Sequence, residues 1–210
     1  GRDVALRLVP DWPLSQWRHT GGPALEGGGT AVPETVGGER GPVAEVDGFR
    51  FGHDSLLACA WGRPSEAFGA PYAVFDGTRQ VARLPGPPYH FMSRVASVTG
   101  PQGGMREGSE VVAEYDVPAD AWYFREGDGR AMPFAVLLEV ALQPCGWLAS
   151  YVGSALTTTT DLRFRNLDGS GTVTGEVTPL TGTVRTRARL TRVSRNGDMI
   201  IEAFDVTCTG

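Results

Sequence analysis

The stretch Met132-Pro-Phe-Ala-Val-Leu-Leu-Glu-Val-Ala-Leu-Gln-Pro-Cys-Gly-Trp-Leu-Ala-Ser-Tyr-Val152 decides the fold. It is long enough for several helical turns and apolar on nearly every side, the pattern of a helix buried all round. Glu139 is its only charge. A lone carboxylate inside a protein is costly unless paired, hydrogen-bonded or neutralised. Gln143 follows four residues later, so carboxyl and amide share one helix face. That pair is the candidate site. Two plainer readings compete: a membrane span, for which the length suffices, and a core helix whose Glu139 reaches a polar rim. The mid-stretch Glu139, Gln143 and Pro144, and the polar, strand-patterned remainder, argue against the membrane. Pro144 lacks an N–H and crowds the Val140 carbonyl, which predicts a kink or break near Gln143.

Before this helix, Tyr89–Val98 and Glu110–Val117 read as strands, rich in aromatic and β-branched residues. Leu84-Pro-Gly-Pro-Pro88 is a donor-poor, extended lead-in, and Ala119–Phe124 is expected to be a short turn or helix. Pro133 is expected in the first helical turn, where a missing N–H does no harm. After Gly153, strands are expected at Ala155–Phe164, Thr172–Thr178, Thr183–Ser194 and Met199–Thr207. Asn196-Gly197 between the last two is a strong hairpin signal. Two strands, a long apolar helix and four further strands predict an α+β domain, an antiparallel sheet curled around a central helix. Arg185, Arg187 and Arg189 alternate along one strand, either as a solvated sheet face or as a patch for an acidic carrier protein.

The 210 residues carry a net charge of −5, without the basic footprint of a nucleic-acid binder. Cys59, Cys145 and Cys208 are far apart and odd in number, which suggests neither a disulfide framework nor a zinc site. No signal-peptide pattern opens the chain, so a reducing cytoplasm is the default compartment. From Gly21 to Pro42, 11 of 22 residues are Gly or Pro. Such a segment buries too little to offset its ordering entropy. Residues 1–42, with a short strand expected at Val4–Val9, are therefore expected to be an extension and interdomain linker from a longer polypeptide. Residues 43–82 are expected to be an irregular lead-in packed on the core, and 83–210 the domain itself.

Pro87-Pro-Tyr-His-Phe-Met-Ser-Arg-Val95, Trp122-Tyr-Phe124, and Met132-Pro133 leading into Glu139 and Gln143 resemble the hot-dog dehydratases of fatty-acid synthesis. The likeness is greatest to the dehydratase regions of polyunsaturated-fatty-acid and iterative polyketide synthases, and spans Phe75 to Thr207. The resemblance implies a helix wrapped by an antiparallel sheet, paired with a second hot-dog in a dimer or in one chain. It implies a histidine on one hot-dog that removes the proton alpha to a thioester. A carboxylic acid on the other, its pKa raised by burial, then expels the 3-hydroxyl as water. Glu139 falls where the family has a helix Asp and Gln143 on the amide of that motif, as catalytic positions. Met132, Pro133 and Phe134 fall on substrate contacts. The implied partner is an acyl carrier protein bearing a phosphopantetheine-linked acyl chain, with no cofactor, metal, nucleic acid or membrane.

Two departures stand out. The loop from Trp122 to Met132 carries no histidine, and His19, His53 and His90 lie in places where a histidine is more often structural. Glu in place of Asp moves the acid by about an ångström, enough to matter in a tuned site. The sequence thus reads as the N-terminal half of a double hot-dog, supplying the carboxyl side of a shared site. A non-catalytic hot-dog used as a scaffold, dimerisation or carrier-docking module, and a hot-dog thioesterase, are the alternatives.

Overall fold

The computed structural model describes residues 41–77, 80–126 and 130–210. The expected linker and Val4–Val9 strand therefore lie almost wholly outside the described residues. Four strands form one antiparallel sheet in sequential order: β3 (Arg94–Thr99), β4 (Glu110–Asp116), β5 (Thr183–Asn196) and β6 (Met199–Thr209). One face of the sheet carries Val111, Ala113 and Tyr115 of β4 and Val184, Thr186, Ala188 and Leu190 of β5, all buried. The long helix α4 (Phe134–Tyr151) packs there, giving the α+β arrangement of a hot-dog. On the other face, Arg185, Arg187 and Arg189 stand exposed. Arg185 and Arg187 meet Glu114 at 3.5 Å and Glu110 at 2.6 Å across the strand pair. Cross-strand ion pairs of this kind are what a solvated sheet face carries, and they leave little unbalanced charge on the stripe.

Up to Phe75, the stretch expected to be irregular is built of regular elements. Glu45–Val46 (β1) and Phe49–Arg50 (β2) form a hairpin over Asp47-Gly48, both at positive φ. An Asp-Gly pair between short apolar runs is a hairpin signal in its own right, though the aromatics around it hide any period. Helices α1 (His53–Trp61) and α2 (Pro64–Phe68) and a 3-10 turn at Ala70–Phe75 follow. At nine and five residues the two helices are too short to be stable alone. They are held by tertiary burial of Leu56, Ala58, Cys59, Ala67, Phe68, Tyr72 and Phe75. This region encloses the C-terminal half of α4. The Trp147 indole is fully buried, edge-on to Phe51 and stacked on Tyr151 at 5.2 Å. The Tyr72 hydroxyl donates to the Ser150 carbonyl. The free edge of β3 is covered as well: Val95 N–H donates to Phe51 O at 3.1 Å and Ala44 N–H to Val95 O at 2.8 Å.

Two expected strands are missing. Ala155–Phe164 begins with a 3-10 turn at Ala155–Thr157 and continues as exposed coil, and Thr172–Thr178 is also coil. The threonine run has strand propensity but no apolar face to bury, and Gly175 interrupts the second stretch. One backbone bond, Met132 N–H to Val177 O at 2.7 Å, ties that stretch down. The narrower sheet explains a further correction: α4 is not buried all round. Phe134 and Leu138 are 61% and 43% exposed, and Ala135 is exposed beside them. The β5–β6 hairpin is present with Gly197-Asp198 as its two-residue tip, because Asn196 pairs with Met199. Gly197 alone has positive φ there, +59°, the pattern of a type II′ turn.

On β6, Glu202 is half-buried; Oε1 accepts from Ser154 Oγ at 2.6 Å, and Oε2 is buried without a partner among the described residues. Burial raises its pKa, and the Ser154 bond opposes that only in part. A carboxyl whose folded pKa lies above its unfolded one imposes no penalty below the unfolded value. The penalty grows as pH rises through the folded value. Glu202→Gln is therefore expected to raise stability by about 1 kcal/mol near pH 7. The gain should vanish toward pH 4, as urea denaturation at the two pH values will show. An equal gain at both would disprove it.

Candidate functional site

The N-terminal half of α4 begins after Pro133, which occupies the cap position instead of the first turn. The Pro133 carbonyl accepts from Val136 N–H and Leu137 N–H at 2.9 and 3.0 Å. The helix runs through Pro144 without a break. The carbonyl that Pro144 cannot serve, that of Val140, takes the Thr186 hydroxyl of β5 at 3.4 Å. A strand side chain has replaced the missing helical donor, and no break follows.

Glu139 and Gln143 lie one turn apart on one face, and their surroundings differ sharply. Glu139 is half-buried on the open part of the helix, near the exposed Phe134 and Leu138. Gln143 is 2% exposed, with both ends of its amide engaged. Oε1 accepts the Phe91 N–H at 2.8 Å, and Nε2 donates to the Tyr89 carbonyl at 2.9 Å. This corrects the expected strand Tyr89–Val98, which starts only at Arg94. In the strap 89–91 a glutamine side chain stands where a neighbouring strand's backbone would. A buried amide must find partners, and a strap next to a proline-rich lead-in has unpaired groups to offer. That signal was available in the sequence.

The strap is held on its other side by aromatic packing. The Tyr89 ring lies 5.0 Å from Phe91 and 6.3 Å from Trp122 of the short helix α3 (Trp122–Arg125), centroid to centroid. Trp122 Nε1 donates to the Pro88 carbonyl at 3.2 Å. Met132 is buried in the adjoining cluster with Phe91, Tyr115, Tyr123, Val136 and Val140. Of the three expected substrate contacts, Met132 therefore faces inward, whereas Pro133 and Phe134 are exposed.

His90 points its Nδ1 to the Pro85 carbonyl at 3.0 Å, and burial lowers its pKa, so the ring is neutral at physiological pH. Its ring lies 6.5 Å from that of the exposed His53. His19 is outside the described residues. Burial pushes the Cys59 and Cys145 thiols up to about 12, which makes them poor nucleophiles. Among the described residues no cluster of three His, Cys, Asp or Glu side chains could hold a metal ion. Two open clefts of about 310 and 430 Å³ lie by Gly108, the first with Arg106 and Ser109, the second with Arg189 and Asp205. Glu139 lines neither. The open helix face, with a carboxyl set among apolar side chains, is the better candidate.

An antiparallel sheet packed on a long apolar helix, with a single carboxyl on the helix's open face, is consistent with the hot-dog class. No family model matches the chain. In an alignment 154 residues long that covers 68% of the chain, it is 30% identical to one subunit of the polyunsaturated fatty acid synthase of Thraustochytrium sp. (strain ATCC 26185 / S-3). The match covers 10% of that synthase subunit. The likeness supports a segment related to fatty-acid or polyketide synthases.

Proposed function

We propose that this chain is the carboxyl-bearing half of a double hot-dog dehydratase, acting on 3-hydroxyacyl thioesters carried by an acyl carrier protein. The observation that carries the reading is the placement of Glu139. It is the one acid of an otherwise apolar helix, on the stretch left open among the described residues. A second hot-dog laid on that face would enclose Glu139 and Phe134 and exclude water from between the two halves. In the reaction, a base on the second hot-dog takes the proton from C2. The C2–H electron pair forms the double bond to C3, the C3–O bond breaks, and the Glu139 carboxyl protonates the departing hydroxyl to give water. The thioester stays intact and no redox cofactor takes part.

The experiment is an assay of 3-hydroxyacyl-thioester dehydration by the chain alone and joined to a second, histidine-bearing hot-dog. The joined polypeptide is expected to form the 2-enoyl thioester, and the chain alone to be inert. Full activity in the isolated chain would overturn the split site. One observation favours a second reading, a hot-dog that only scaffolds or docks: both ends of the Gln143 amide are engaged in holding the strap. Turnover by the joined polypeptide that is indifferent to Glu139 would establish that reading.

A further inference from the structure

The open stripe of α4 has two ends, and one later segment of the chain meets both. Ala135, Leu138, Glu139, Leu142 and Gly146 recur at three- and four-residue intervals, so they share a face. None of them is fully buried. At the N-terminal end Met132 N–H donates to Val177 O at 2.7 Å. At the C-terminal end the Phe164 ring lies against Gly146: a Cβ there would stand 3.3 and 3.4 Å from Phe164 Cε2 and Cζ and 3.2 Å from Leu84 Cδ2. A methyl at 146 would force one of these neighbours back by a few tenths of an ångström. Gln80 braces the residues before the ring. Leu162 N–H donates to its carbonyl at 3.1 Å, its own N–H donates to Asp161 Oδ1 at 3.1 Å, and Arg163 Nη2 donates to its Oε1 at 3.3 Å. Between the two anchors, residues 165–176 are exposed and make no backbone–backbone hydrogen bond among the described residues. Leu138 is left 43% exposed, so the chain's own side chains do not fill the stripe.

We propose that Phe164, seated on Gly146, is the end stop of an acyl path along this stripe, and that it limits the length of the straight acyl chain the site accepts. The 3-hydroxyacyl assignment rests on the dehydratase reading above; the stop itself needs only apolar binding. With Glu139 addressing C3, the tail beyond C3 is the part that extends along the helix. The polar thioester arm belongs at the Phe134 end, which opens to solvent. The tail then runs the other way, over Leu142, toward the ring. Glu139 and Gly146 are seven residues apart on α4, about 10 Å along the axis, which takes roughly eight carbons of an extended chain. Up to that length each methylene leaves water for an apolar floor. A longer tail must bend into solvent or displace the ring. The ring suits a stop because its seat is shaped to it by the missing Cβ and its lead-in is braced at Gln80. At 37% exposed, it keeps an edge that a tail can meet.

The test titrates the 210-residue chain with saturated acyl-pantetheine thioesters of increasing tail length. Affinity is expected to rise about twofold per added carbon, the gain for a methylene covered on one side. It should level off once the tail passes roughly eight carbons beyond C3. In Phe164→Ala the rise should continue for several further carbons. Phe164→Leu, which keeps an apolar side chain on Gly146, should fall between and carries the test if the alanine variant does not fold. Leu167→Ala, at an exposed position of the same segment, should leave the plateau where it is. Affinity that ignores tail length in the parent, or a plateau at the parent's length in the Phe164 variants, would overturn the stop. So would a plateau that Leu167→Ala moves as far, since a loosened segment would then suffice. In the joined polypeptide, kcat/KM for dehydration should break at the same tail length, and Phe164→Ala should move that break outward. Dehydration with the same length profile in parent and Phe164→Ala would overturn the stop and keep the dehydratase reading. Absence of dehydration in the unmodified joined polypeptide would instead remove that reading, leaving the binding result on the stop intact.

Discussion

Glu139→Gln, in a polypeptide joining this chain to a histidine-bearing hot-dog, is expected to lower kcat for dehydration by about 10²–10⁴-fold. That is the range lost when a positioned acid or base is removed. The substitution is close to isosteric: it keeps the length and shape of the side chain and removes the transferable proton. Because Glu139 stands half-buried on the open face of α4, the change should leave folding stability within about 0.5 kcal/mol of the parent, as for other substitutions outside the packed core. The two measurements together separate a chemical role from a structural one. A loss of turnover with an unshifted urea midpoint assigns Glu139 to the reaction. Unchanged turnover makes this half a scaffold.

How much of this was legible in the sequence depends on the distance over which each residue's partner acts. Helix α4 was readable because a long apolar run around one acid leaves few other structures open. Strands β4, β5 and β6 were readable because β-branched and aromatic residues recur along them; in β5, Val184, Thr186, Ala188 and Leu190 face inward between exposed arginines. The two short helices of 53–68 were not, because their stability comes from residues far along the chain, such as Trp147, against which Phe51 and Phe68 pack. Strand propensity misled in the opposite direction at 155–178, where threonines had no sheet to join. At the candidate site the spacing of Glu139 and Gln143 correctly put both on one helix face. It could not show that one faces a strap and the other the open side, since that depends on residues 89–91, some fifty positions earlier.

Arg94→Met is expected to cost about 3–5 kcal/mol, the usual loss when one member of a buried ion-pair group is removed. The Arg94 side chain is 6% exposed, and its Nε donates to Glu114 Oε2 at 2.8 Å. Nη1 and Nη2 reach the two oxygens of Asp116 at 2.6 and 3.1 Å, and Thr183 Oγ1 donates to the same carboxyl at 2.9 Å. Gly41 closes over the group: a Cβ there would stand 3.2 Å from both Arg94 Nε and Glu114 Oε2, at a φ of +105° that side chains rarely adopt. Two effects could dominate the loss, the attraction itself or the desolvation of whatever charge is left behind. The attraction is largely cancelled by the cost of taking the ions out of water, so the stranded charge should decide. Glu114, 11% exposed, keeps the longer contact with the half-exposed Arg185 at 3.5 Å but cannot regain water without opening the sheet, whereas Asp116, 31% exposed, can do so in part. Removing the stranded acid as well, in Arg94→Met with Glu114→Met, should therefore recover a large part of the stability lost in the single variant. Lysine at 94 should fall between, because one ammonium cannot bridge two carboxylates as the guanidinium fork does. Urea denaturation at pH 7 gives all three values. Equal losses in the single and double variants would mean that the ion pair's attraction, not the abandoned carboxylate, holds this end of the sheet together.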